Sequence, residues 1–167
     1  MEMPTIMDIG NYQFKNYRIL TNNEQKIALV FRNKNREWMI NKDIIKIEQH
    51  KKWIKTLEHN FSKLYYLVFK DNIPFMSIYF HDLDYIKKES CWGYFLGEES
   101  YSSEVLKIQK IIIDIGFSKL NLDKLICINA INNHVIKIHK FFGFIEDKVV
   151  KINGREFLIM YLLKNKS

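Results

Sequence analysis

Between two strand-like runs, residues 124–129 and 144–152, the chain reads Asn132-x-x-Val135-x-x-Ile138-His139-x-x-Phe142-Gly143-Phe144. No other segment constrains the fold as much. An asparagine closes the first strand, and apolar side chains at helical spacing follow for about three turns. Gly143 then supplies the permissive backbone that lets the chain leave a helix and enter a strand at Phe144. A strand, a short helix and a strand in that order call for a sheet with a helix packed on it. Residues 144–152 and 155–163 in turn flank Asn153-Gly154, the strongest short-range signal for a tight hairpin.

Upstream, residues 13–20 alternate as a strand, and Thr21-Asn22-Asn23 caps a helix running to about residue 33, with Ile27, Leu29, Val30 and Phe31 on its apolar face. After an irregular stretch at 34–42, a second helix is predicted over 48–59 from the spacing of Ile47, Trp53, Ile54 and Leu57. Residues 63–70 and 73–82 form a hairpin across Asp71-Asn72, and a further strand covers 91–96. Residues 97–102 are a polar loop, with Ser102 as N-cap of a long helix ending near 117–120. The residues alone imply a single α+β domain. We assign 1–11 to a flexible N-terminal tail and 12–165 to that domain.

At 167 residues the chain suits one core, and no Pro-, Gly- or Ser-rich linker interrupts it. Its apolar runs, such as Ile111-Ile112-Ile113, fall well short of the roughly 20 residues that cross a bilayer. The start, Met1-Glu2-Met3-Pro4, lacks the basic and apolar regions of a signal peptide, so a cytoplasmic protein without membrane partner is expected. Cys91 and Cys127 show no metal-binding spacing and are read as buried thiols, with no metal site. The net charge of +7 is spread among lysines along the whole chain, without a basic run or an aromatic-and-basic RNA motif. Nucleic acid is therefore not the expected partner, while an anionic small molecule suits the charge.

The segment from Asn132 to Phe144 resembles the C-terminal half of the GCN5-related N-acetyltransferases, the GNAT superfamily, with His139 where that family carries a tyrosine. The resemblance implies the GNAT fold, a mixed central β-sheet with a splayed strand pair flanked by helices. It also implies acetyl-CoA as co-substrate, without a metal. Acetyl-CoA would lie between strands 91–96 and 124–129, using Phe95, Leu96, Gly97, Ser102, Ser103 and Asn132. Its pyrophosphate would meet loop 97–103 at a helix N-terminus. That loop, Gly97-Glu98-Glu99-Ser100-Tyr101-Ser102-Ser103, departs from the family's glycine-rich pattern.

Phe31-Arg32-Asn33, Trp38-Met39, His50-x-x-Trp53-Ile54-x-x-Leu57 and Tyr66-Leu67-Val68-Phe69 are similar to the first half of the acetyltransferases of pseudaminic acid biosynthesis. This implies a cytoplasmic acyltransferase of surface-glycan biosynthesis acting on a UDP-linked 4-amino-4,6-dideoxy sugar. Arg32, Met39, His50, Trp53, Tyr79 and Tyr94 would contact that substrate, with Arg32 and His50 at the nucleotide end. His139 would protonate the leaving thiolate as an imidazolium, and Ser77 would position the amine. Another nucleotide-linked amino-sugar or amine, a non-catalytic acyl-CoA-binding module, and a homodimer all stay open.

Overall fold

The computed structural model describes residues 3–165. Eight strands form one sheet in the order β1-β2-β3-β4-β5-β6-β8-β7: β1 Ile6–Ile9, β2 Tyr12–Asn16, β3 Leu64–Lys70, β4 Ile73–Asp84, β5 Glu89–Leu96, β6 Lys124–Ala130, β7 Ile145–Ile152 and β8 Arg155–Leu163. Every neighbouring pair is antiparallel except β5 and β6. Four α-helices flank the sheet: α1 Asn22–Lys34, α2 Ile47–Thr56, α3 Val105–Asp114 and α4 Val135–Phe141.

The turns are set by local chemistry. Asp71 and Asn72 have φ of 51° and 63°, and Asn153 and Gly154 have φ of 50° and 76°. Two successive left-handed residues match the right-handed twist of the strands they join. The helix α1 starts where the sequence places it: Thr21 accepts from the Glu24 amide at 3.2 Å while Glu24 accepts from the Thr21 amide at 2.8 Å. This reciprocal cap satisfies two otherwise unpaired amides.

The expected N-terminal tail is corrected. Ile6–Ile9 pairs with β2 through Ile6↔Lys15 and Met7↔Phe14, Met3 and Met7 are buried, and the Tyr66 hydroxyl donates to Pro4 O at 3.1 Å. Residues 1 and 2 of that expected tail lie outside the described residues. Three boundaries also move. The first predicted strand ends at Asn16, because Tyr17–Ile19 turns as a 3-10 helix with the Asn16 side chain capping it. Ser102 is not a cap but sits inside a 3-10 helix, Glu99–Glu104, that leads into α3. The α3 helix widens into a π turn, Ile115–Lys119, before Leu120.

Two hydrophobic layers sandwich the sheet. One holds Ile78, Phe80, Trp92, Ile108, Ile112, Leu125 and Phe144 beneath α3 and α4; the other holds Tyr17, Ala28, Phe31, Ile54, Leu57 and Phe95 beneath α1 and α2. Because side chains alternate across a strand, Ser77 and Tyr79 face the α1/α2 layer while Met76 and Ile78 face α3.

Candidate active site

The one parallel pair among the described residues comes apart. β5 and β6 are in register at Glu89↔Lys124, Ser90↔Leu125 and Cys91↔Ile126, and no pairing continues beyond them. β5 stays paired with β4 as far as Leu96, and β6 stays paired with β8 as far as Ala130. Residues 92–96 and 127–130 therefore face each other across a wedge, each with one backbone edge lacking a strand partner. Such edges have a strong demand for hydrogen bonds.

On the α3/α4 side the wedge is lined by a polar knot inside an apolar layer. Gln109 Oε1 accepts from the Tyr94 hydroxyl at 3.1 Å and from His139 Nδ1 at 3.2 Å. Around it, the His139 ring lies 5.1 Å from Trp92 and 5.5 Å from Phe144. His139 is 2% exposed, and burial pushes its pKa down to about 4. A neutral imidazole that meets an amide oxygen through Nδ1 carries its proton there and leaves a lone pair on Nε2. The imidazolium acid expected from the sequence is thus absent at neutral pH. Tyr94 is corrected as well: it lies on this face, away from the α1/α2 side, and burial raises its pKa so that it keeps its proton. The sheet period already separates it from Tyr79, whose cross-strand partner is Gly93.

The α1/α2 side is an aromatic surface. His50 stacks on Trp53 with centroids 5.6 Å apart, Trp53 meets Tyr65 edge-on at 4.8 Å, Tyr65 stacks on Tyr79 at 5.4 Å, and Tyr79 stacks on His81 at 5.6 Å. Gly93 makes room for this ladder, since a Cβ there would fall 2.3 Å from the Tyr79 hydroxyl. Ser77 is fully buried and bonded to the Tyr17 hydroxyl at 2.5 Å. His50 is 5% exposed and its Nε2 has no partner. Burial, helped by the nearby Arg32 charge, pushes its pKa down to about 4. It offers a neutral hydrogen-bonding group with a flat ring.

Segment 35–46 borders this surface and is tied down from several sides. Arg32 donates to Asn41 O at 2.7 Å and to Asp43 O, and Asn33 brackets Ile45 with bonds of 3.0 and 3.1 Å to its carbonyl and amide. From the far end of the sheet Arg155 donates to Met39 O at 2.8 Å and Glu37 O at 2.7 Å. Arg32 thus spends part of its fork on the loop, while Met39 packs against the layer that contains Phe31 and Phe95. Arg155 and Tyr65 border the site, and the fully buried Gln109 and Tyr17 hold Tyr94, His139 and Ser77 from behind; no sequence signal singled out these four.

At the open end of the wedge, the Gly97 and Glu98 amides both donate to Phe75 O, at 2.8 and 3.1 Å. Lys34 reaches Gly97 O at 3.0 Å, and Asn35 reaches Leu96 O at 2.7 Å. Ser102 and Ser103 are exposed on the 3-10 turn, and Asn132 is exposed beyond β6 while Asn133 Oδ1 accepts from the Val135 amide at 3.0 Å just ahead of α4. The Glu104 carboxylate is drawn aside by Lys70 at 2.8 Å and by the Tyr12 hydroxyl, which hold its pKa below the usual range.

No family profile and no curated protein matches this sequence. Solved structures do. The N-acetyltransferase PseH from Campylobacter jejuni in complex with acetyl coenzyme A superposes with a TM-score of 0.76 at 22% identity, over 92% of this chain and 99% of that one. A second structure of the same protein gives 0.74 at 24% identity, over 93% and 99%. Spermidine N-acetyltransferase SpeG from Vibrio cholerae gives 0.79 at 14% identity, over 93% and 95%. The fold is the GNAT fold. In this GNAT fold the parted strands are β5 and β6, and the helices α1 and α2 cover the aromatic side of the sheet.

Proposed function

We propose that the protein is an acetyl-CoA-dependent N-acetyltransferase acting on the amine of a nucleotide-linked amino-deoxysugar, of the UDP-4-amino-4,6-dideoxy type. The observation that carries the transferase reading is the wedge between β5 and β6. An amide-bearing pantetheine arm satisfies the unpaired edges of 92–96 and 127–130. Acetyl-CoA supplies the activated acyl group, and the Phe95 and Leu96 backbone lies along its path. Gly97, Ser102, Ser103 and Asn132 stand at the open end for the pyrophosphate, with the Glu104 charge held away by Lys70. Transfer is direct, the amine attacking the thioester from the α1/α2 side. Since His139 is neutral, the protonated Tyr94 hydroxyl is the better proton source for the leaving thiolate, with His139 and Gln109 fixing its position.

The acceptor class follows from surface chemistry. A polycation such as spermidine calls for unpaired carboxylates, whereas this side presents aromatic rings bordered by Arg32, Lys34, Arg36 and Lys42, with Glu37 and Glu99 already paired to the last three. Flat rings suit a base, cations suit a diphosphate, and Met39 with Trp53 gives an apolar wall for a deoxy-sugar methyl group. A second reading, a non-catalytic acyl-CoA-binding module, is favoured by the Gly97 and Glu98 amides already being bonded to Phe75. Incubation with acetyl-CoA and a panel of nucleotide-linked amino-sugars plus spermidine, read by mass spectrometry, separates these readings. Acetylated nucleotide-sugar is expected; acetylated spermidine alone overturns the acceptor class, and acetyl-CoA binding without any product favours the module.

A further inference from the structure

The amine of an amino-sugar is an ammonium at neutral pH and must lose a proton before it can attack. Most titratable groups on the aromatic side are unsuited to take it. His50 is buried, Ser77 is locked to Tyr17, and burial raises the pKa values of Tyr17, Tyr65 and Tyr79, leaving them protonated. One group differs. His81 follows Ser77 and Tyr79 on the same face of β4, stacks on Tyr79, and is 32% exposed.

We propose that His81 is the general base of the acetyl transfer, oriented by Asp82, an inference that rests on the acetyltransferase reading above. Three observations support it. The cross-strand partner of His81 is Cys91, and Cys91↔Ile126 is the last β5–β6 pair before the wedge opens. An acceptor reaching into the wedge from the aromatic side therefore passes Tyr79 and His81. Next, His81 Nδ1 lies 2.7 Å from Asp82 Oδ2. A carboxylate only accepts, so Nδ1 carries the proton and Nε2 presents its lone pair. Finally, Asp82 has a φ of 53° at a break in the β4–β5 register between His81 and Asp84. A non-glycine residue held in the left-handed region at a bulge is costly backbone, and here it turns a carboxylate back onto the preceding side chain.

The step balances. Nε2 of His81 takes one proton from the ammonium, and the freed lone pair forms the C–N bond at the thioester carbonyl. The tetrahedral oxyanion then collapses with cleavage of the C–S bond, the Tyr94 hydroxyl gives its proton to the departing thiolate, and the second nitrogen proton restores Tyr94. The products are the amide, coenzyme A and one proton released from His81 to solvent. Asp82 is a positioning residue, and Tyr79 on β4 with Cys91 and Glu89 on β5 are the other titratable groups near His81.

The test uses His81→Ala, His81→Gln and Asp82→Asn in the full chain, with acetyl-CoA binding and thermal stability measured alongside turnover of the free amine of the nucleotide-linked amino-sugar that the wild-type protein acetylates. His81→Ala and His81→Gln are expected to lower kcat about 100-fold or more with acetyl-CoA affinity unchanged. Added imidazole is expected to restore part of the turnover of His81→Ala, and Asp82→Asn to show a smaller kcat loss. Turnover retained in both folded His81 variants, or a loss that imidazole does not relieve, overturns the base. A wild-type protein that acetylates no amine overturns the transferase reading, and the base with it.

Discussion

His50 and His139 are neutral because the chain buries them, and that makes stability depend on pH. Unfolded, each takes up a proton near pH 6.5; folded, each does so near 4. Between those values the unfolded chain binds more protons, so stability is full above about 6.5 and falls as pH drops towards 4. The two histidines contribute on the order of 3 kcal/mol each across that window. Urea midpoints should fall between pH 7.5 and 5, and His139→Gln should flatten part of the slope; a midpoint indifferent to pH contradicts the burial. Gly97 is the second sensitive position. A Cβ there would lie 2.1 Å from the Phe31 ring, which is 2% exposed and cannot give way. Gly97→Ala should cost about 1–3 kcal/mol by overpacking, read as a lowered melting temperature. None of these environments was legible in the sequence, since what surrounds His139 comes from α3 and β5 and what surrounds Gly97 comes from α1. The face of Tyr94 was legible: a period of two along β5 separates it from Phe95.

Elements with local signals agree most closely between sequence and structure. The α1 cap is contained in Thr21-x-x-Glu24, and the hairpin turns in Asp71-Asn72 and Asn153-Gly154, so no distant partner was needed to foresee them. β1 escaped notice for the opposite reason: four residues, Ile6–Ile9, make a strand only because β2 already stands as a sheet edge. Segment 35–46 is likewise held by distant groups, and its predicted behaviour tests that. Arg155→Ala should free the carbonyls of Glu37 and Met39, speed hydrogen exchange across 35–46, and raise the Michaelis constant for the nucleotide-sugar about tenfold, equivalent to roughly 1.4 kcal/mol. The constant for acetyl-CoA should change little. Equal effects on both substrates would assign Arg155 to general stability. Thr21→Ala, which removes half of the reciprocal cap on α1, should cost about 1 kcal/mol in urea denaturation without altering either constant.

At the scale of the whole molecule, the interior of the sheet stays paired along β4–β5 and β6–β8 and parts where β5 leaves β6. The order of strands and helices was readable from the sequence. The point of separation was not, because it depends on where parallel pairing fails and not on any residue of β5 or β6 alone. This opening divides the site into a thioester side under α3 and α4, with Tyr94, Gln109 and His139, and an acceptor side under α1 and α2, with Trp53, Tyr79 and His81. The most direct test is a crystal structure of the protein with acetyl-CoA. The account predicts the pantetheine arm between residues 92–96 and 127–130, the thioester between Tyr94 and the aromatic side, and the pyrophosphate beside residues 97–103. Acetyl-CoA bound on another face, or a wedge that stays empty at saturating ligand, would contradict it.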